Sequence, residues 1–187
     1  MTEKEKMLAG KLYNAADAEL KSLRTKARLA IQKLNSALPD NDNTIKEILK
    51  ELIPSQGENF WIEPPFYCDY GTNIHAGDNV YFNYDCTILD VCEVRIGNDC
   101  MFGPAVQIYA PLHPMNAKER ATLIEYGKPV TIGNNVWVGG NATILPGVNI
   151  GDRCVIGAGS VVTKDIPPDS FAAGNPAKVI RTINKES

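Results

Sequence analysis

A branched or aromatic residue returns every six positions through much of this chain, and that period constrains the fold more than any other feature. From Ile132 the sequence reads IGNNVW, VGGNAT, ILPGVN, IGDRCV, IGAGSV and VTKDIP. The same phase is found upstream in IGNDCM and FGPAVQ and, across a two-residue slip at Val94–Arg95, in YGTNIH, AGDNVY, FNYDCT and ILDVCE. All 13 phase positions are apolar or aromatic.

Glycine supports this period independently of the apolar residues. The residue after the phase position is Gly in 8 of 13 cases, whereas average composition predicts about one. A six-residue period matches neither an α-helix nor a plain strand, but it fits a coil of three short flat strands per turn. We expect the phase residue to point inward and the following Gly or Asn to adopt a corner conformation that a Cβ would hinder.

The position four residues after each phase residue is also expected to face inward, because it holds a small or medium side chain. Examples are Val80, Cys86, Cys92, Cys100, Val106, Val136, Ala142, Val148, Cys154 and Ser160. Four of the five cysteines share this phase, so packing is the role predicted for them. The chain has no CxxC pair and only two histidines, and we therefore predict no metal site.

The repeat divides the chain into three parts. Residues 1–55 are predicted to form a helical cap, residues 56–168 a β-helix with an inserted loop at 109–131, and residues 169–187 a C-terminal tail. A cap would shield the open end of the β-helix, whose strand edges would otherwise be exposed. It could equally form one wall of a substrate cleft, and the sequence leaves both roles open.

The cap carries recognisable helix signals. Thr2 and Glu5 have the spacing of a capping box. Apolar residues from Leu20 to Leu34 follow helical spacing and predict a helix that ends before Pro39. A second, shorter helix is predicted to start near Thr44.

Composition excludes several classes of function. The net charge is −3, whereas a nucleic-acid binder normally has a basic excess. No apolar run reaches the roughly 18 residues of a membrane span, and the first 30 residues lack the apolar core of a signal peptide. We therefore expect a soluble cytoplasmic protein that binds neither nucleic acid nor membrane.

The inserted loop, APLHPMNAKERATLIEYGKP, contains His113 between an apolar residue and a proline. A loop of about 20 residues in a compact repeat protein is usually functional or disordered. Histidine is the natural general base at neutral pH, although spacing alone would also fit an ordinary surface residue. His75 falls at an outward or intersubunit repeat position and is given no chemistry.

Three longer stretches give a more specific indication. CDYGTNIHAGDNVYFNYD, the segment from HPMNAKER through EYGKPVTIGNNVWVGGNATILPGV, and AAGNPAKVIR resemble the maltose/galactoside O-acetyltransferases over nearly the whole chain. The resemblance implies a mainly β fold, a left-handed parallel β-helix. It also implies direct transfer of acetyl from acetyl-CoA to a hydroxyl of a maltose-, glucose- or galactoside-like sugar, by a homotrimer whose active sites lie between neighbouring subunits.

The resemblance assigns roles to residues on the acceptor side. His113 would remove the proton of the acceptor hydroxyl, and Asn83, Asp17 and Asp69 would bind the acceptor. In a trimer these three would face His113 of the adjacent subunit. Glu125 would orient His113, as carboxylates orient histidine in other acyl-transfer sites; a solvated loop charge is the alternative.

The resemblance also assigns residues to the coenzyme. The backbone N–H of Gly140 would stabilise the oxyanion, and backbone groups near Ala158 and Thr163 would line the pantetheine arm. Trp137 would pack against that arm, with core or trimer packing as an equal alternative. Three cations would meet the phosphates as charge-assisted donors: Lys164, Lys178 and Arg181.

Two departures from the family pattern affect the acceptor more than the chemistry. They are Pro111–Leu112 before the histidine and Pro104–Ala105 at a corner. Two alternatives stay open: an acetyltransferase for another hydroxyl acceptor, such as an antibiotic or serine, and a β-helix scaffold without catalysis. A zinc carbonic anhydrase of this fold needs three histidine ligands. The chain has only two histidines, so this class of enzyme is excluded.

Overall fold

The computed structural model describes residues 1–183 and is a parallel β-solenoid of about six turns, which confirms the predicted mainly β hexapeptide-repeat fold. Three sheets form its sides, and their strands are parallel except for the last strand of sheet 2, which is antiparallel. Sheet 1 contains β2 (Ser55–Gln56), β5 (Ile74–Ala76), β8 (Val94–Ile96), β13 (Val130–Ile132) and β16 (Asn149–Ile150). Sheet 2 contains β3 (Trp61–Ile62), β6 (Tyr81–Phe82), β9 (Met101–Phe102), β14 (Trp137–Val138), β17 (Val155–Ile156), β19 (Ser170–Gly174) and β20 (Ala177–Thr182). Sheet 3 contains β4 (Phe66–Cys68), β7 (Cys86–Leu89), β10 (Gln107–Tyr109), β15 (Thr143–Ile144) and β18 (Val161–Val162).

The remaining elements lie outside the three sides. The N-terminal segment contains α1 (Glu3–Leu8), β1 (Tyr13–Asn14), α2 (Ala18–Asn35) and α3 (Asp42–Leu52). The inserted loop contains β11 (Pro111–Leu112), α4 (Ala117–Arg120) and β12 (Ile124–Gly127). None of the helices in the described part of the chain combines the length and the apolarity that crossing a bilayer requires.

Strand register explains the slip in the repeat. Met101 pairs with Tyr81, 20 residues earlier, whereas Trp137 pairs with Val155, 18 residues later. Every upstream turn is therefore two residues longer, so the slip is not confined to one place. Tyr70 holds a phase position of the sequence repeat, but in the structure it is a buried residue of the corner between β4 and β5.

The interior matches the predicted pattern. Twelve of the 13 phase residues are buried, and Ala76 is half-buried. Twelve of the 13 residues four positions later are buried as well, and Leu112 is half-buried. Phe82 and Phe102 stack inside the solenoid with ring centroids 4.1 Å apart. Apolar side chains thus fill the prism along its described length.

All five cysteines are buried and unpaired. Burial raises the pKa of every one of these thiols, including that of Cys86 to about 11. They remain protonated at neutral pH, which supports packing rather than reactivity as their role.

The reason for the repeated glycine differs from the prediction. Left-handed φ occurs three residues after the phase position, at residues such as Asn135 and Asn141; of the eight glycines that directly follow a phase position, only Gly71 has it. A Cβ on Gly133 would lie 2.7 Å from the backbone nitrogen of Asp152 in the next turn. Glycine is therefore required by the close approach of successive turns, and the predicted corner conformation belongs elsewhere.

The cap confirms most of the helix predictions. Both bonds of the Thr2–Glu5 capping box are present at the start of α1. Helix α2 ends at Asn35, before Pro39 as expected. Helix α3 begins at Asp42, because the side chain of Asn41 caps it, so the predicted start near Thr44 is two residues late.

Helices α2 and α3 pack against each other, α2 against β4 and α3 against β3, so both cover the first turn of the solenoid. At the other end, β19 pairs in parallel with β17, and β20 folds back onto β19. The solenoid therefore extends one strand into the predicted tail. Residues 184–187 of that tail lie outside the described part of the chain.

Candidate active site

His113 faces a cleft of about 320 Å³ between the inserted loop, the N-terminal segment and sheet 3. The cleft is lined by Tyr13, Ala15, Arg24, Arg28, Asp69, Tyr70, Leu89, Val91, Pro111, His113 and Glu125. The cap thus forms one wall of a cleft besides covering the first turn.

A small antiparallel sheet builds this cleft. Strand β12 lies in the middle, with β11 on one side and β1 on the other. Leu112 pairs with Tyr126, so β11 fixes the backbone directly before His113. On the opposite edge, Tyr13 pairs with Glu125. A strand of the cap therefore completes the sheet that carries the histidine.

The contacts of His113 favour one tautomer. Its Nδ1 lies 3.4 Å from the backbone oxygen of Ile124, and its side chain is exposed. A carbonyl oxygen can only accept a hydrogen bond, so this contact favours a proton on Nδ1. The other nitrogen, Nε2, then keeps the lone pair that a general base needs.

Glu125 is bonded to a tyrosine. The hydroxyl of Tyr13 donates to Oε2 of Glu125 at 2.7 Å, and no hydrogen bond joins Glu125 to His113 within residues 1–183. Burial, together with the Glu125 carboxylate, raises the pKa of Tyr13 far above its usual range. Tyr13 is therefore a protonated donor throughout the physiological pH range.

The corner that carries Asp69 is held by a carboxylate beneath it. Asp90 is fully buried, and its side chain accepts hydrogen bonds from the backbone N–H groups of Asp69, Tyr70 and Asn73 at 2.9–3.3 Å. Burial raises the pKa of Asp90 to about 7, although these donors oppose the shift. Its contacts fix the backbone that presents Asp69 and Tyr70 to the cleft.

Charges of both signs meet at Asp69. Burial raises the pKa of its half-buried carboxyl, Glu125 adds to the shift, and Arg24 and Arg28 oppose it. Arg24 donates to the hydroxyl of Tyr70 at 2.7 Å and to the backbone oxygen of Ala15. Burial raises the pKa of Tyr70 to about 12, so this hydroxyl remains neutral.

Two predicted acceptor residues lie outside this cleft. The Asp17 side chain caps α2 by accepting from the backbone N–H groups of Glu19 and Leu20. Asn83 lies at the corner after β6, where its Oδ1 accepts from the N–H of Tyr84. Only Asp69 lines the cleft.

The position of Asp69 corrects one expectation. Asp69 was expected to face His113 of an adjacent subunit, but it shares the cleft with His113 of its own chain. The reason is that the inserted loop folds back over its own sheet 3, beside the corner that follows β4.

The predicted oxyanion donor lies at a corner with unusual backbone bonding. Between sheets 1 and 2, the side chain of Asn98 accepts from the N–H of Asp78, and Asn134 does the same for Asn98 one turn further on. Between sheets 2 and 3, the equivalent N–H groups of Gly140 and Ala158 donate to no atom within residues 1–183. This corner therefore offers free backbone donors in two successive turns.

The other predicted coenzyme residues are exposed on neighbouring surfaces. Trp137 points outward from β14 and is 53% exposed. Thr163 and Lys164 directly follow β18. Lys178 and Arg181 lie on β20, which approaches β18, and the Arg181 guanidinium lies 5.6 Å from the ring centroid of Phe171.

Several residues that line or support the cleft were not found from the sequence: Tyr13, Arg24, Arg28, Tyr70 and Asp90. Only Asp90 carried a usable signal, since it places an acid within the apolar ILDVC repeat. Tyr13 and Glu125 are 112 residues apart, and nothing in their spacing relates them.

Comparison with known proteins identifies the family. Residues 6–57 match the maltose acetyltransferase hexapeptide capping motif, and residues 129–164 match the hexapeptide repeat of succinyl-transferase. The Escherichia coli galactoside O-acetyltransferase is 43% identical over 96% of this chain and 89% of its own length.

Two solved structures agree closely with this chain. A maltose O-acetyltransferase from Clostridium difficile 630 is 50% identical, with a TM-score of 0.98 and 99% coverage of both chains. A galactoside acetyltransferase in complex with coenzyme A is 43% identical, with a TM-score of 0.95 over 98% of this chain and 92% of that one. The chain therefore belongs to the maltose/galactoside O-acetyltransferase family and is a hexapeptide-repeat acetyltransferase of that type.

Proposed function

We propose that this protein transfers acetyl from acetyl-CoA to a hydroxyl of a sugar, with His113 as the general base. The observation that carries the proposal is the position of His113. It faces a cleft that also contains two carboxylates, Asp69 and Glu125, and its Nδ1 lies beside a carbonyl oxygen. That contact leaves Nε2 free for the proton of an acceptor hydroxyl.

The lining of the cleft suits a sugar. The Asp69 side chain has no hydrogen-bond partner among the described residues, so its oxygens are free to accept from hydroxyl groups. Leu89, Val91 and Pro111 supply apolar surface for the C–H face of a sugar ring. A few polar groups among apolar walls are typical of small-molecule sites.

The proposed reaction takes place in a site completed between neighbouring subunits, because Gly140 does not line the cleft that contains His113 of its own chain. Nε2 of His113 takes the proton of the acceptor hydroxyl while the hydroxyl oxygen attacks the thioester carbonyl. The tetrahedral oxyanion accepts a hydrogen bond from the free N–H of Gly140. Collapse of the intermediate breaks the C–S bond, and the imidazolium returns its proton to the thiolate of coenzyme A. The products are the acetyl ester and free coenzyme A.

The coenzyme would lie along the corner between sheets 2 and 3. The free N–H of Ala158 can donate to a pantetheine amide carbonyl, and Trp137 offers an exposed ring beside it. Three exposed cations are available to the phosphates: Lys164, Lys178 and Arg181. No metal is needed for this chemistry.

We also propose that the working form is a homotrimer. The outward positions of sheet 2 form an apolar stripe, and Met101 and Trp137 within it are more than half exposed. The stripe consists of Trp61, Tyr81, Met101, Trp137, Val155 and Phe171. Contiguous apolar surface of this kind marks an interaction site. Asn83 follows this stripe at the next corner, where it could reach the acceptor bound by a neighbouring subunit.

Acetyl-CoA as the donor and five unpaired cysteines are consistent with the cytoplasmic location predicted from the sequence.

Sizing chromatography with light scattering tests the proposed trimer. A stable, active monomer would contradict the trimer.

The activity is tested by following thiol release from acetyl-CoA with a panel of sugars, serine and hydroxylated antibiotics, ranked by kcat/KM. His113→Ala should lower kcat for the best acceptor by about 10² to 10⁴-fold. Its melting temperature should stay close to that of the wild type, because His113 is exposed. The matched control is His75→Ala, which removes the other histidine of the chain from the outer face of sheet 1.

The results separate the alternatives. Full activity of His113→Ala would exclude this residue as the base. Highest kcat/KM for serine or an antibiotic would replace the sugar as acceptor. No thiol release with any acceptor, together with no acetyl-CoA binding by calorimetry, would favour a non-catalytic scaffold.

A further inference from the structure

Strand β12, whose Ile124 carbonyl oxygen contacts His113, is held in place by the N-terminal segment. On β12, Glu125 pairs with Tyr13 of β1, and Ile124, whose carbonyl contacts His113, pairs with Asn14. The edge of β12 away from the histidine therefore depends on two residues near the start of the chain.

The hydroxyl of Tyr13 makes the one side-chain hydrogen bond across this pairing. Tyr13 is only 2% exposed, so its ring is held in place by packing. Its hydroxyl donates to Oε2 of Glu125 at 2.7 Å at the directly paired position. A hydrogen bond to a charged acceptor is about twice as strong as a neutral one. The bond from Tyr13 therefore fixes both the Glu125 carboxylate and strand β12, on which Glu125 lies.

The N-terminal segment is itself anchored against the same strand. A Cβ on Gly10 would lie 2.8 Å from the carbonyl oxygen of Gly127, at the end of β12. The thiol of Cys92 donates to the backbone oxygen of Met7 at 3.2 Å, which ties α1 to the solenoid. Tyr13 is thus a rigid donor on a fixed support.

We propose that Tyr13 is a positioning residue for the general base. Its hydroxyl holds Glu125 and β12 in the register that places the carbonyl of Ile124 beside Nδ1 of His113. Tyr13 acts through these groups and does not contact the reacting atoms. This inference rests on the proposed function, since it assumes that His113 is the base.

Tyr13→Phe tests the hydroxyl separately from the ring. The substitution keeps the buried aromatic packing and the backbone pairing, and it removes only the bond to Glu125. Positioning predicts that kcat falls about tenfold while KM for acetyl-CoA and for the acceptor stays within twofold. The matched control is Tyr109→Phe, whose hydroxyl bonds Gln107 outside the cleft and whose loss should leave kcat unchanged.

A double-mutant cycle supplies a readout that loss of packing would not move. In a Glu125→Ala background the hydroxyl has no carboxylate to hold, so Tyr13→Phe should lower kcat less than twofold further. Equal losses in both backgrounds would refute the coupling. Wild-type kcat for Tyr13→Phe, or a raised acceptor KM at unchanged kcat, would overturn the positioning role.

Failure of this inference is distinguishable from failure of the proposed function. If His113→Ala is inactive while Tyr13→Phe behaves as wild type, only the inference fails. If His113→Ala is fully active, the proposed base is wrong. Should Tyr13→Phe not fold, Glu125→Ala measures the same bond from its acceptor side, and wild-type kcat in that variant would overturn the inference.

Discussion

Replacing a glycine that directly follows a phase residue by alanine should lower the stability of the fold more than replacing a glycine that has left-handed backbone angles. Gly133 follows a phase residue, and a Cβ there would lie 2.7 Å from the backbone nitrogen of Asp152 and 2.9 Å from the backbone carbon of Gly151. Those atoms belong to the next turn, which is held by its own ladder hydrogen bonds. Gly159 has φ +68°, but its Cβ would meet nothing within 4 Å.

These two environments give different magnitudes. Overpacking against a fixed backbone lowers stability by about 1–3 kcal/mol. Because the contacts at Gly133 are so short, we expect Gly133→Ala to lose about 3 kcal/mol. A left-handed non-glycine residue costs roughly 1 kcal/mol, and Gly159→Ala adds no clash. For a chain of this size, each kcal/mol lowers the melting temperature by roughly 2–4 °C.

The assay is thermal unfolding at one protein concentration, with asparagine variants as the matched controls. Asparagine occupies the left-handed position in other turns, for example at Asn135 and Asn141. Gly159→Asn should therefore recover most of the stability lost in Gly159→Ala, whereas Gly133→Asn should be worse than Gly133→Ala. A larger loss at Gly159 than at Gly133 would refute close approach as the reason for the repeat glycine.

Two further predictions concern pH and the coenzyme. Because burial raises the pKa of Asp90 from 3.8 to about 7, the folded protein binds a proton more tightly than the unfolded chain between these values. This group's contribution to stability should therefore fall as pH rises from 4 to 7, by up to about 4 kcal/mol. Plots of melting temperature against pH should have different slopes for the wild type and Asp90→Asn between pH 4 and 7. Equal slopes would contradict the raised pKa of Asp90. Lys178→Ala and Arg181→Ala should each raise KM for acetyl-CoA about tenfold with little change in kcat, and initial rates at varied acetyl-CoA would expose an unchanged KM as a failure of the phosphate role.

The fold was predictable from the sequence because every turn repeats the same six-residue pattern of inward-facing side chains. The inward phase residues and the residues four positions later are all set by local alternation, so the interior could be assigned without knowing any long-range contact. The capping box at Thr2–Glu5 is equally local. Asn41 was missed as the cap of α3 because Thr44 and Glu47 offer a competing start signal three residues later.

The candidate site was predictable only in part, because its contacts join distant segments. His113 was found from its loop and Asp69 from its motif, and both line one cleft. The bond from Tyr13 to Glu125 depends on how the cap folds over the loop, which no spacing in the chain records. The reason for the repeat glycine was also missed, since the distance between turns appears only in three dimensions.

The inserted loop leaves and re-enters the solenoid at almost the same place. The N–H of Lys128 donates to the oxygen of Ala110 at 2.9 Å, and Met101 pairs with Trp137 as though the turn were uninterrupted. The segment between Ala110 and Lys128 is therefore an insertion that leaves the strand pairing of the solenoid unchanged. We expect that changing the loop residues around His113 and Glu125, while keeping these two, would alter which alcohols are accepted and leave the proposed coenzyme corner unchanged.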